Sequence, residues 1–419
     1  LEFARKNNTP SCRKAFKQAY FLFLMKSSSI QVLYSALDVG YPGTHGGSTH
    51  VGEAVFSLAT LCQHVFLLCK HSKGQSFIEH RHNLTIYRFP IPSISFFRVL
   101  CYFLYPFFFS LYLFLFRRIS LVYERGRIFG GGATLSGFLF RKKTVYELNE
   151  PILGVPVALG RLKKPSLTYA ALYIWHTFIL RCTDFVTLTH RSSIDGIYHP
   201  RVLLIHYGAN PITFSPQRAD SSLVSHYGLT KGKTLLYVGS FSRWHACDYL
   251  LRAFAQLIRH EKSAKLLMVG AGERLDSLVC LTKRLRLTKS VFFVGKIPLK
   301  EVPRYINASD ICFALFDRHY FPFQLFGYYY SPIKLHEYKS CGKAVIASDY
   351  PQLRELVKNG VNGYTVDETD IPALQRSIHF LLQKPHLLKK IGSYNRREVL
   401  QQYTWDHFNR IVLDKVFKP

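Results

Sequence analysis

The residues best placed to do chemistry stand in one short run, SPIKLHEYKSCGKAVIAS, from Ser331 to Ser348. Ser331 followed by Pro332 predicts a helix start, with a serine N-cap and a proline at the first helical position. Leu335, Tyr338 and Cys341 recur at helical spacing, and Gly342 is placed to end the helix. Lys334 then falls at the third helical position, where the helix dipole is positive and a cation costs a few tenths of a kcal/mol to about 1 kcal/mol. An anion held at the free N–H groups reverses the sign of that cost, and a diphosphate fits. The competing reading is a solvated lysine paired with Glu337 at i,i+3, worth ~0.2–0.5 kcal/mol. Glu337, one turn further in, is an acceptor-only carboxylate suited to a pair of sugar hydroxyls.

Other loops carry groups of the same kind. The stretch DVGYPGTHGGSTH brings Gly40, Gly43, Gly46 and Gly47 ahead of a helical run. It has neither the G-K-[ST] ending of a Walker loop nor the G-x-G-x-x-G order. Its glycines either make a turn or let the backbone approach a phosphate or sugar. In SFSRWHACD, Arg243, Trp244 and His245 lie in a loop, with Asp248 as a candidate N-cap. AGER and KIP follow two further glycine-ended apolar runs, and Glu147, Asn149 and Glu150 end another in VYELNEP.

These loops follow β-rich apolar runs that alternate with helical patterns. The first series is IQVLYSAL, HVFLLC, LTIYRF, SLVYE, KTVYEL, DFVTLT and RVLLIHYG; the second is TLLYVG, KLLMVG, VFFVG, DICFALF, AVIAS and GYTV. Most are unbroken apolar runs, the pattern of parallel strands buried on both faces. In DYLLRAFAQLIRH, Leu250, Leu251, Phe254, Leu257 and Ile258 share one helical face. Two such series predict two doubly wound domains, in which ligands sit beyond the carboxyl ends of the strands. The switch between them falls in GANPITFSPQRADSSLVSHYGLTKGK, rich in turn residues. The expected boundaries are 25–212 and 213–400, with 401–419 a helix returning to the first domain.

Bulk properties narrow the partners. At 419 residues, 48% hydrophobic and 19% charged, the chain is globular and long enough for two cores. Its net charge of +29 points to an anionic partner: nucleic acid, a membrane surface or phosphate-bearing substrates. No nucleic-acid-binding signature accompanies the basic residues, so nucleic acid is not expected. The nine cysteines show no C-x-x-C pair and mostly lie in apolar runs, as small buried hydrophobes do in a reducing compartment. Met25 opens MKSSSIQVLYSAL, a natural domain start, and 1–24 is set aside as an extension. The uncharged run from Val99 to Phe116 approaches the ~17–25 residues that cross a bilayer. Its neighbours LTIYRFP and SLVYE both read as strands, so a crossover helix dipping into a membrane interface is expected instead of a span.

The run SPIKLHEYKSCGKAVIASDYPQLRELVKNGVNGYTV resembles the donor-binding region of the retaining family 4 glycosyltransferases, which have the GT-B fold. The likeness extends from Met25 through GGSTHV, LVYER, VYELNEP, HYGANPITFSP, LLYVGSFSRWH and VFFVGKIPLKEVPRYINASDICFAL to QQYTWDHF. It implies two Rossmann-like domains facing across a cleft and a nucleotide-diphosphate sugar as co-substrate, with no further cofactor. Glu337 corresponds to the second glutamate of the family's E-x7-E motif, which holds the nucleotide ribose. Ser331, Pro332, Ile333 and Lys334 form the helix start facing the diphosphate. Gly295 and Lys296 match the segment at the base, and Gly46 and Gly47 the loop that closes on the diphosphate from the other domain. The first glutamate of the motif falls on Tyr329, Ser240 stands where arginine is common, and His245 where lysine is common. Asn210 replaces an aspartate of the family's turn. Arg243 or His245 is left to take the missing phosphate role.

The implied reaction moves a sugar to an acceptor hydroxyl with retained anomeric configuration, as in cell-envelope polysaccharide or glycolipid synthesis. Positive groups at the leaving diphosphate would carry much of the catalysis. Lys334, the helix N-terminus and Arg243 supply that charge without a metal, and no Asp-x-Asp pair is present. Glu147, Asn149 and Glu150 either line the acceptor side or form a turn. Two rival classes stand beside this reading: another GT-B enzyme, such as an epimerase or phosphorylase, and a non-catalytic binder of polyanions or membranes. The charge and the apolar run together predict a cytoplasmic protein, peripheral on the inner face of a membrane, acting on a glycan or lipid-linked acceptor.

Overall fold

The computed structural model describes residues 29–43, 45–93 and 95–418; the extension expected at 1–24 lies outside them. Two α/β domains are present. In the first, β1 (Gln31–Gly40), β2 (His64–Lys70), β3 (Ile78–Arg81), β4 (Leu84–Phe89), β5 (Ile119–Arg125), β6 (Lys143–Leu148), β7 (Phe185–Leu188) and β8 (Val202–Leu204) form one sheet. Their order is β3-β4-β2-β1-β5-β6-β7-β8, parallel throughout except for β3 against β4. In the second, β9 (Thr234–Val238), β10 (Lys265–Val269), β11 (Val291–Gly295), β12 (Ile311–Ala314), β13 (Ala344–Ser348) and β14 (Tyr364–Val366) run parallel in the order β11-β10-β9-β12-β13-β14. The two parallel-sheet domains agree with the fold read from the sequence.

The central strands are apolar on both faces because helices cover both. Leu235, Leu266, Ile311 and Ile346 are fully buried against the helix Cys247–Leu257, whose Leu250, Leu251, Phe254 and Leu257 are likewise buried. Each such side chain contributes ~1.5–3 kcal/mol of transfer free energy. That helix is capped by Ala246, not by Asp248, which lies in the first turn and pairs with Arg274 at 3.2 Å.

In each sheet the chain reverses its winding once, between β1 and β5 in the first and between β9 and β12 in the second. Crevices for ligands open at the carboxyl ends of such strand pairs. The two crevices face each other. Across the boundary, Tyr207 N–H donates to Ser331 Oγ at 3.0 Å, Thr189 Oγ1 to the Tyr329 carbonyl at 2.6 Å, and the Tyr330 hydroxyl to Glu150 Oε2 at 2.7 Å.

The chain passes between domains twice, at Ala209 and Thr404, where the two passages form a parallel bridge. Gly208 allows this, since a Cβ there would lie 2.3 Å from the Thr404 carbonyl carbon. The helix Trp405–Phe417 then packs on the helix Gly46–Leu61 of the first domain. Asn409 Nδ2 donates to the Ala54 carbonyl at 2.9 Å, and the Ser57 hydroxyl to Asp406 at 2.6 Å.

The apolar run expected as a crossover is the helix Ser95–Phe116. It is long and apolar enough to cross a membrane, yet β4 before it and β5 after it belong to one parallel sheet. A span would carry those strands to opposite sides of the bilayer, which the sheet forbids.

Candidate functional site

A cleft of about 760 Å³ lies between the two switch points, within the ~300–1,000 Å³ usual for small-molecule sites. The first domain lines it with Gly43, His45, Gly46, Gly47, Thr49, His50, Arg125, Asn149 and Tyr207. The second contributes the ends of β9 and β10, Trp244, His245, Lys296, Tyr328 and Tyr330, and the segment Ser331–Lys334 with Glu337.

The helix carrying Lys334 runs from Ile333 to Ser340, with Pro332 at its N-cap and no side-chain cap. The expected serine cap is absent because Ser331 Oγ instead accepts from Tyr207 N–H in the other domain. Lys334 is therefore the second helical residue, not the third. Its Nζ lies 3.3 Å from the Tyr237 hydroxyl and 3.3 Å from His245 Nε2, and 4.4 Å from the Tyr237 ring centre. Among the described residues it forms no ion pair with Glu337 or any other carboxylate. Burial lowers its pKa to about 8, partly offset by Cys247 and Glu337. A desolvated cation with no counter-ion is costly, and a bound anion relieves that cost.

The space for this ammonium is made by Gly239, at the end of β9. A Cβ there would lie 2.5 Å from Lys334 Nζ, and the residue's φ of +148° excludes most other side chains. His245 is held neutral, first by burial and then by Lys334. Its Nε2 faces the ammonium and accepts, which leaves Nδ1–H directed at Ser240 Oγ, 3.4 Å away.

Glu337 is buried, and among the described residues its carboxylate accepts no hydrogen bond. Burial raises its pKa to about 8; Glu53 raises it further and Lys334 lowers it. The folded state keeps a proton that the unfolded chain loses above pH 4.5, so the group's cost to stability grows as pH rises from 4.5 to about 8. Glu337→Gln removes this titration. The ligand-free variant is expected to be more stable than the parent across that range, by on the order of a few kcal/mol at its upper end, and to melt higher. Scanning calorimetry at several pH values checks this; a constant difference would place the carboxylate in water.

From the first domain, the helix Gly46–Leu61 presents its N-terminus to the cleft, capped by His45 Nδ1 accepting from Ser48 N–H at 3.2 Å. Nothing lies within 4 Å of where a Gly46 Cβ would stand, so this glycine leaves the cleft open. Gly47 lies under the His45 ring.

Below the cleft on this side, Glu147 is fully buried. It faces His50 Nε2 at 3.1 Å, accepts from the Tyr123 hydroxyl at 2.9 Å and Asn149 Nδ2 at 2.8 Å, and lies 3.7 Å from Arg125. Burial opposes its ionisation, but His50 and Arg125 outweigh that and hold its pKa at about 2. Arg125 is further tied to Asp38 at 3.2 Å.

Several expected site residues stand elsewhere. Glu147 is beneath the cleft and Glu150 beside it, bonded to Tyr330; only Asn149 of the three lines it. Arg243 points to solvent, its side chain 81% exposed and 3.6 Å from Glu273, so His245 alone of that pair reaches Lys334. Tyr329 is buried in the core, while its neighbours Tyr328 and Tyr330 face the cleft. Gly295 ends β11 with its carbonyl accepting from Gly270 N–H at 2.9 Å, and Lys296 is the residue that lines the cleft.

Three contributors escaped the sequence reading. Tyr237 hides in the apolar run TLLYVG, although its hydroxyl reaches Lys334. Arg125 ends SLVYER, where a charge at a strand's carboxyl end was the available signal. Tyr207 joins the cleft through long-range packing on Trp405.

Residues 225–398 match the family described as Glycosyl transferases group 1. An uncharacterized glycosyltransferase, MJ1069 of Methanocaldococcus jannaschii, is 24% identical over 87% of this chain and 92% of its own length. A GDP-mannose-dependent alpha-(1-6)-phosphatidylinositol monomannoside mannosyltransferase of Mycolicibacterium smegmatis is 26% identical over 53% of this chain and 58% of its own. Among solved structures, Anabaena Alr3699/HepE in complex with UDP and glucose superposes with a TM-score of 0.68 at 16% identity, covering 93% of this chain and 100% of that one. Together with the two parallel-sheet domains, such neighbours establish the GT-B fold.

Proposed function

We propose that this chain, a GT-B glycosyltransferase whose residues 225–398 form a group 1 domain, transfers a sugar from a nucleotide-diphosphate donor with retained configuration. The acceptor in this reading is a hydroxyl of a glycan or lipid-linked molecule. The carrying observation is Lys334: a buried ammonium with no carboxylate partner among the described residues, at a helix start on the cleft. When the bond between the sugar's anomeric carbon and the diphosphate oxygen breaks, negative charge grows on the diphosphate. Lys334 and the facing N-terminus of Gly46–Leu61 would meet that charge as it develops, without a divalent cation. Glu337, a turn deeper, would accept from the ribose hydroxyls, and Lys296 would stand at the base. Asn149, fixed by Glu147, would face the acceptor.

The neighbour bound to UDP and glucose, and the relative that uses GDP-mannose on a phosphatidylinositol mannoside, support this class of donor and a lipid-linked acceptor. The reading places the enzyme at the cytoplasmic face of a membrane, in cell-envelope polysaccharide or glycolipid synthesis. Incubation with UDP-glucose and GDP-mannose, followed by proton and carbon NMR of the glycoside formed, tests the reading. For a glucoside the anomeric proton–proton coupling, and for a mannoside the one-bond carbon–proton coupling at the anomeric carbon, reads the configuration; the donor's configuration in the product supports retention. The opposite configuration overturns retention, and no transfer from any sugar nucleotide in a broad panel overturns the function.

A further inference from the structure

The helices Ser95–Phe116, Gly132–Leu139 and Leu167–Arg181 cover one face of the first sheet; Gly46–Leu61 and Trp405–Phe417 cover the other. The three are packed as one layer. A Cβ on Gly132 would lie 2.1 Å from the Phe103 carbonyl oxygen, so the first two helices touch backbone to backbone. The Phe103 and Trp175 rings meet edge to face at 5.2 Å, and Phe114 lies 5.6 Å from Phe140.

The outer side of this layer is apolar. Phe108, Leu115 and Phe116 are 61%, 76% and 66% exposed, Leu139 57% and Ile174 68%. Six exposed large hydrophobic side chains on the first helix, three at 138–140 and four on the third make thirteen of the 26 recorded among the described residues. Half of these exposed side chains are thus gathered on and beside three neighbouring helices, where a soluble monomer scatters them.

The charges around it have one sign. Residues 95–118, 132–143 and 160–181 contain ten Lys and Arg and no Asp or Glu. Arg117, Arg118, Arg141, Lys142, Lys143 and Arg181 form no ion pair with a described residue. A second copy docking here would set like charges against each other, whereas a layer of anionic headgroups over acyl chains complements both properties.

The surface also connects to the cleft. Arg127 lies over the Tyr102 ring at 4.8 Å and pairs with Asp38 at 3.0 Å, and Asp38 holds Arg125 at the cleft wall.

We propose that this three-helix face docks on an anionic lipid bilayer, with the helices lying in the interface and the cleft opening beside the headgroups. This deepens the reading of a lipid-linked acceptor and rests on it for its biological sense. Docking is therefore measured without sugar nucleotide, so that docking and transfer can fail separately.

The test is sedimentation of the full chain with vesicles of mixed phosphatidylserine and phosphatidylcholine, and with phosphatidylcholine alone, across a salt series. At low salt, anionic vesicles are expected to bind at least ~10-fold more tightly. Raising the salt shortens the Debye length below ~10 Å and removes most of that preference, leaving an apolar remainder. Arg118→Glu with Lys143→Glu is expected to abolish the preference for anionic lipid. Leu115→Ser with Ile174→Ser is expected to remove the salt-resistant remainder; these side chains are exposed, and circular dichroism melting confirms folding. Equal binding to both vesicles, or parental binding by both variants, would overturn the proposal. So would retention in the membrane after alkaline carbonate, which marks a span, or a dimer broken by the serine pair, which marks a second copy as the occupant.

Discussion

Lys334→Ala is expected to lower kcat/KM for sugar transfer by ~100-fold or more, a loss of about 2.7 kcal/mol of transition-state stabilisation. The effect is large because the ammonium is buried and has no carboxylate partner within the described protein. In the ligand-free cleft it is supported by the Tyr237 hydroxyl, the rings of Tyr237 and Phe316 and a neutral His245. All of its charge is thus available to the departing diphosphate. The same geometry separates this role from a structural one. Removing a buried, uncompensated cation relieves a desolvation cost, so the variant is expected to melt no lower than the parent without ligand. Steady-state kinetics and calorimetry on one preparation check both statements. Near-parental turnover would leave Lys334 with no part in the chemistry.

The second large effect is on binding. Glu337→Gln is expected to weaken affinity for the free nucleoside diphosphate by about tenfold or more, the cost of replacing charge-assisted hydrogen bonds by neutral ones in a buried site. Two hydroxyl donors from a ribose favour the ionised carboxylate, so binding draws its pKa down from about 8. Parental binding near neutral pH is then expected to release protons in proportion to Glu337 ionisation, a release the glutamine variant lacks. Titration in buffers of different ionisation enthalpy reads this directly. Unchanged affinity in the variant would assign Glu337 to the helix and not to the ligand.

The strands were legible because burial on both faces leaves no alternative to unbroken apolar runs such as HVFLLC and KLLMVG. β3 was not. Its IEHR is largely exposed, and it forms through a hairpin whose His82 has a φ of +45°. Lys334 and Glu337 could be singled out because their oddity is local: a cation at a helix start and a carboxylate one turn on. Ser331 misled for the opposite reason, since its hydroxyl is used by Tyr207 more than a hundred residues away. Arg243 and Tyr329 misled in the same way. Position in a loop or a motif does not say whether a side chain turns to solvent or into the core. The docking face lay partly in view, as the run Val99–Phe116. Its other two helices are ordinary in sequence and become a surface only when the sheet sets them side by side.

The most direct measurement is calorimetric titration of a nucleoside diphosphate, and of the corresponding nucleoside, into the parent chain and into Lys334→Ala at one salt concentration. The expected result is tighter binding of the diphosphate than of the nucleoside by the parent, with most of that increment lost in the variant while nucleoside affinity stays unchanged. Equal affinity of the parent for the two ligands, or a full diphosphate increment in Lys334→Ala, would contradict a diphosphate site at this helix start.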